Sequence, residues 1–148
     1  CDIYRVLKPG GYLRMSVPDY RCDVLYERSM KDKSGSILFD AGGGGSYDAI
    51  NHKVVGGGHV WFPRYETVKA LIDTTPFERC VFYHYYNEGG EPITDDIDYS
   101  KGYVQRTPDH DDRVKYPKRP MSIVVDCLKD SHKMNTNTVM VFSGRCNL

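Results

Sequence analysis

Aspartates bracket a histidine at Asp109-His110-Asp111-Asp112, a combination from which a general base can be built. A carboxylate beside an imidazole orients the ring and steadies its charged form, so the ring can take a proton from a reacting group. His110 is therefore the candidate catalytic residue, although the same four residues suit a solvated charged turn, which is the simpler reading. His52, His59 and His110 with a carboxylate would be the raw material of a metal centre, but their spacing matches no ligand pattern and no metal is expected. Trp61 beside His59, and Tyr99 with Tyr103, offer flat aromatic area with a polar handle. They are candidates to line a ligand pocket, with core packing as the alternative. Pro18, Asp19 and Tyr20 follow a strand-like run. Ligands of doubly wound sheets sit outside the carboxyl ends of strands, which makes these three the best-placed candidates.

Other chemistries find no support. Glycines crowd 42–45 and 56–58, but no Gly-Lys-Ser/Thr follows and no helix starts directly after Gly45, so a phosphate-cradling loop is not expected. No G-x-S-x-G elbow is present for a serine hydrolase.

The elements that must hold these side chains can be read from periodicity. Ile3, Val6 and Leu7 have the spacing of one helical face, and Lys8-Pro9-Gly10-Gly11 ends that helix with a cation and a turn. Residues 12–17 form a strand pattern that Pro18-Asp19 closes. Helix, tight turn and strand within twenty residues make an α/β crossover. Residues 20–33 suit a helix, with Cys22, Leu25, Tyr26 and Met30 near one face. The glycine-dense stretch 40–58 reads as a long loop, of a length that is uncommon unless it is functional or disordered. Pro63 fits a helix first turn, with Val68, Leu71 and Ile72 as the apolar stripe. Residues 77–86 and 121–129 read as strands, joined by a connection too long for a simple hairpin. A further strand is expected at 138–142.

Composition narrows the class. At 148 residues the chain is one domain or part of one. Lys plus Arg and Asp plus Glu both number 20, so the net charge is zero, which argues against a nucleic-acid or anionic-membrane binder. No apolar run approaches the ~20 residues needed to span a bilayer. Five cysteines, widely spaced and without a C-x-x-C pair, read as reduced thiols of a cytoplasmic protein.

The text Arg5-Val6-Leu7-Lys8-Pro9-Gly10-Gly11 followed by an apolar strand resembles the step from the fourth helix to the fifth strand of class I S-adenosylmethionine-dependent methyltransferases. The resemblance continues through P-x-Y-E-T-V-K-A-L-I, from Pro63 to Ile72, and through the two later strands, and it covers roughly two thirds of the chain. It implies an α/β fold: a partial Rossmann-like sheet made of the equivalents of strands five to seven, the last inserted antiparallel between five and six. It also implies one domain part over 1–129, with insertions at about 34–60 and 87–120, and a tail over 130–148. The Gly-rich turn, the acidic end of the second strand and the polar loop by which the family holds its cofactor find no match.

The expectation is therefore the C-terminal part of a methyltransferase domain. S-adenosylmethionine would belong to the intact parent, with none bound by this part, which would be inactive alone. Pro18, Asp19, Tyr20, His59, Trp61 and Tyr103 would lie on the side of the methyl acceptor. Strand 12–17 would be left as an open sheet edge, so a homodimer through that edge is expected. The alternative is a non-catalytic binding module that keeps the fold.

Overall fold

Residues 2–131 are described by a computed structural model; Cys1, Cys146 and the strand expected at 138–142 lie outside the described residues. The first helix, α1 (Asp2–Val6), turns at Pro9-Gly10 into β1 (Tyr12–Pro18). Its packing face differs from the expected one. Tyr4 and Leu7 rest on the core, with Tyr4 edge-on to Phe77 at 5.0 Å, while Ile3 and Val6 are 47% and 67% exposed. The cation at the helix end also differs. Lys129, distant in sequence, donates to the Tyr4 and Leu7 carbonyls at 2.8 and 2.7 Å, where carbonyls lack partners of their own.

The expected helix over 20–33 is shorter, α2 (Asp23–Arg28). Ser29 Oγ donates to the Leu25 carbonyl and Lys31 Nζ to the Tyr26 carbonyl, each at 2.6 Å, which stops the helix. Chain that was expected to continue the helix instead forms β2 (Met30–Lys31), paired with β3 (Ile37–Phe39). The glycine-dense stretch is not structureless either. It carries a small hairpin of β4 (Ser46–Asp48) and β5 (Lys53–Val55).

α3 (Tyr65–Asp73) follows, with Arg64 as N-cap; Pro63 lies one residue before the cap and not in the first turn. Val68 and Ile72, four residues apart, bury against the sheet. Leu71 points outward at 52% exposure, because only that i, i+4 row faces the strands.

One four-stranded sheet organises the chain. Its order is β1, β8 (Ser122–Leu128), β6 (Arg79–Tyr86), β7 (Pro92–Thr94), and every neighbouring pair is antiparallel. The chain is thus mixed α/β, and the last strand sits antiparallel between β1 and β6. β7 was not expected: Asn87 and Glu91 close a tight hairpin at the start of the long connection. β1 pairs with β8 alone, so its other edge is open among the described residues.

The pleat divides β8 between two cores. Ile123, Val125 and Cys127 pack with Val68, Ile72 and Phe77 beneath α3. Val124 packs with Ile97 and Val104 from the 87–120 connection. Arg14 fastens that connection to the sheet. It forms a two-pronged pair with Asp126, its cross-strand partner, at 2.7 Å on each prong, and donates to the Asp98 and Gly102 carbonyls.

Under the same cover His84 is fully buried. Its Nε2 hydrogen-bonds the Asp95 carbonyl at 3.0 Å, and its Nδ1 has no partner among the described residues. Burial holds the imidazole below its ordinary pKa, opposed in part by the charge of Asp109. The unfolded chain therefore takes up a proton that the folded chain refuses. His84's contribution is full above about pH 6.5 and falls as pH drops below it, with a limiting slope of about 1.4 kcal/mol per pH unit. Denaturant melts from pH 7.5 to 5 on the chain and on His84→Phe should show this slope in the former and its loss in the latter.

Candidate functional site

β1 ends against segment 58–63, and there the sequence candidates converge. Val17, Pro18, Gly58, His59, Val60, Trp61 and Pro63 line a cavity of about 270 Å³. Trp61 is half exposed. The walls are apolar except for the His59 imidazole.

A buried carboxylate positions that imidazole. Asp40 is fully buried. Its Oδ2 accepts from the Tyr20 hydroxyl at 2.6 Å and from Arg28 Nη2 at 2.7 Å, and its Oδ1 accepts from the Gly42 N–H at 2.8 Å. His59 Nδ1 lies 3.1 Å from the Tyr20 oxygen and 3.5 Å from Asp40 Oδ2. The single Tyr20 hydrogen goes to the carboxylate, so its oxygen is the acceptor for His59 Nδ1–H. A neutral His59 then carries its hydrogen on Nδ1 and keeps the lone pair on Nε2. The same logic, a carboxylate fixing the tautomer of an imidazole that does proton work, serves hydrolytic triads.

The charge states support this assignment. Burial pushes the Asp40 carboxyl up, but the Arg28 guanidinium, the Tyr20 hydroxyl and the Gly42 amide together pull it lower still, to about 2. Burial, then Asp40, hold the Tyr20 hydroxyl protonated far above its ordinary range. Tyr20 thus relays a hydrogen bond and is no base itself. Its ring is buried edge-on against Phe62 at 5.1 Å.

Glycine density has a local cause here. A Cβ on Gly43 would stand 2.4 Å from the His59 ring, and one on Gly58 would stand 2.4 Å from the Phe39 ring. Side chains at those positions would displace the imidazole and its support. Backbone bonds between Asp40 and His59, 3.4 Å in each direction, close the loop over the network.

The remaining candidates fall elsewhere. Asp19 is buried, but it accepts from the backbone amides of Arg21 and Tyr86 at 3.0 Å each, tying the end of β1 to the end of β6. Burial raises its pKa, and its role is to join strands. Tyr103 lines a separate cleft with Arg14, Ser16 and Arg106. The proposed base at His110 lacks its carboxylate. Its ring packs on Tyr99 and Tyr103 at 4.6 and 5.1 Å. Asp109 accepts from the Tyr99 hydroxyl, Asp111 pairs with Arg113, and Asp112 pairs with Lys115. Among the described residues, no three His, Cys, Asp or Glu side chains are grouped to hold a metal ion. None of the described helices is long and apolar enough to cross a membrane.

Arg28 and Asp40 were not anticipated. Asp40 carries a faint signal: an aspartate two residues before a glycine run can cap the turn that follows, here the 3-10 turn Ala41–Gly43. Compared with family models, with curated proteins and with solved structures, the chain matches none.

Proposed function

We propose that this chain is the C-terminal, acceptor-binding part of a class I S-adenosylmethionine-dependent methyltransferase domain. One observation carries the reading. β8 runs antiparallel between β1 and β6, which are parallel to each other, and the resemblance in the sequence calls for that placement of the seventh strand between the fifth and sixth. The position of the cavity outside the carboxyl end of β1 agrees with where such sheets take ligands. Ile3, Val6 and the free edge of β1 are the surfaces on which the cofactor-binding elements of the parent would pack.

The cavity residues do not fit the cofactor. Its walls are apolar, and the nearby carboxylate of Asp40 is buried with both oxygens engaged, so no group is left to take ribose hydroxyls. The cofactor, as donor of the methyl group, belongs to other elements of the parent. The residues here serve the acceptor. Val17, Pro18, Val60 and Trp61 enclose its apolar body and exclude water. His59 Nε2 takes the proton that the attacking group must lose, and Tyr20 and Asp40 steady the resulting imidazolium. Orientation of the acceptor supplies the rest. The rival reading, a binding module without catalysis, draws on the same apolar walls. Free thiols at Cys22, Cys80 and Cys127 suit a reducing, cytoplasmic setting.

Calorimetric titration with S-adenosylmethionine separates the readings. The complete reading frame containing this chain should bind with micromolar affinity, and the 148-residue chain alone should not. No binding by the complete frame overturns the methyltransferase reading in favour of the module, and micromolar binding by the chain alone overturns the division of labour. On the same samples, light scattering should give a dimer for the isolated chain, paired through the β1 edge; a clean monomer mass rejects that pairing.

A further inference from the structure

Two free thiols face each other at one end of the sheet. Cys80 on β6 and Cys127 on β8 are direct partners in the antiparallel register. Residues so opposed project to the same face with Cα atoms about 4.5 or 5.5 Å apart, depending on the pair type. A disulfide needs Cα atoms about 4.4–6.8 Å apart, a range that covers both pair types. Burial, then the neighbouring Cys80 thiol, push the Cys127 thiol up from its ordinary pKa.

Their access differs. Cys127 is 1% exposed and closed in by Ile123, Val125 and Phe77. Cys80 is half-buried and forms part of the wall of a surface cavity of about 230 Å³ between α3 and β6. Lys69, Asp73 and Glu78 share that wall. The Lys69 ammonium pairs with Asp73 at 2.6 Å across that wall. Cys22, by contrast, is fully buried, has no facing thiol among the described residues, and is pushed up to about 11 by burial.

We propose that Cys80 is an oxidation site, with Cys127 as its resolving thiol, and that reaction with a hydroperoxide closes a disulfide across β6 and β8. The Cys80 thiolate attacks the peroxide, the O–O bond breaks, and the sulfur becomes a sulfenic acid as the alcohol or water leaves. The Cys127 sulfur then attacks the Cys80 sulfur. The S–O bond breaks, and the released hydroxide leaves as water with the Cys127 proton. Two thiols lose two electrons and two protons, and the hydroperoxide is reduced to an alcohol and water. The assignment is independent of the methyltransferase reading.

The test treats the folded 148-residue chain with hydrogen peroxide, alkylates it after unfolding, and maps the peptides by mass. A peptide pair joining Cys80 to Cys127, lighter by two hydrogens, is the expected dominant product. In Cys127→Ser, Cys80 should stop at the sulfenic acid and be trapped by dimedone; in Cys80→Ser, Cys127 should remain alkylatable. The wild-type map needs no variant to fold. Full alkylation of Cys80 and Cys127 after treatment overturns the proposal. So does a map in which Cys80 joins Cys1, Cys22 or Cys146 as often as Cys127.

Discussion

Loss of the His59 imidazole should lower methyl transfer by the parent protein about 10²–10⁴-fold, the usual contribution of a positioned general base. That range corresponds to roughly 3–5 kcal/mol of transition-state stabilisation. The His59 side chain is 38% exposed, so His59→Ala should melt within a few degrees of the unsubstituted protein. Stability and chemistry are thereby separable at this position. Three readings check the assignment. Cofactor affinity should be unchanged, because the imidazole serves the acceptor. The pH–rate profile should lose its fall towards low pH, because a general base works only in its unprotonated form. Added imidazole should restore part of the rate. A variant that keeps its rate within about threefold removes His59 from the mechanism, whatever becomes of the fold.

Asp40→Ala should be the most destabilising single change near the site. The carboxylate satisfies the Tyr20 hydroxyl, the Arg28 guanidinium and the Gly42 amide together. Its removal leaves a tyrosine hydroxyl at 1% residue exposure without its acceptor. Breaking a buried ion pair costs about 3–5 kcal/mol, and the lower end applies because the Arg28 side chain, 35% exposed, can turn to water. A loss of about 3 kcal/mol lowers the melting temperature of a chain this size by roughly 10 °C. Differential scanning calorimetry is the measurement, and a shift under 3 °C contradicts the central place given to Asp40. The acid response follows from the sign of its shift. The folded carboxyl titrates below the unfolded one, so its contribution is full above about pH 4 and is lost as pH falls through about 2. Asp40→Asn keeps the shape, lacks the charge and should flatten that acid limb.

How much of this was legible in the sequence depends on range. Strands 12–17, 77–86 and 121–129 announced themselves through alternation and β-branched residues, and each lies within or overlaps an observed strand. Pro18, Tyr20, His59 and Trp61 were each singled out in the sequence, the first two as the end of a strand and the others as an aromatic pair, but their meeting at one place was not. Asp40 and Arg28 were not visible, because a hub is defined by what meets it in space, and its partners come from three separate segments. His110 misled for the opposite reason. Neighbours in sequence looked like a catalytic pair, yet a tight turn sends successive side chains apart, and each aspartate found a basic or hydroxyl partner instead. β7 escaped notice because three residues do not make a pattern, and the register of its hairpin rests on the Asn87–Glu91 turn. Lys129 at the end of α1 shows the same limit, since charge near a helix terminus in sequence pointed to Lys8 while a residue more than a hundred positions away reached the carbonyls.

The pairing of β1 with β8 bears on the order of assembly. Tyr12 meets Leu128 and Pro18 meets Ser122, so within these residues the earliest strand to leave the ribosome waits for the latest. At about 5–20 residues per second, that wait lasts several seconds. Nearly every local element can form beforehand, including the β6–β7 hairpin and α3, but the sheet cannot be completed in order of synthesis. Closing so long a loop makes folding slow. Nascent chains of this protein should therefore depend on a chaperone or an upstream partner strand until Ser122–Leu128 has emerged.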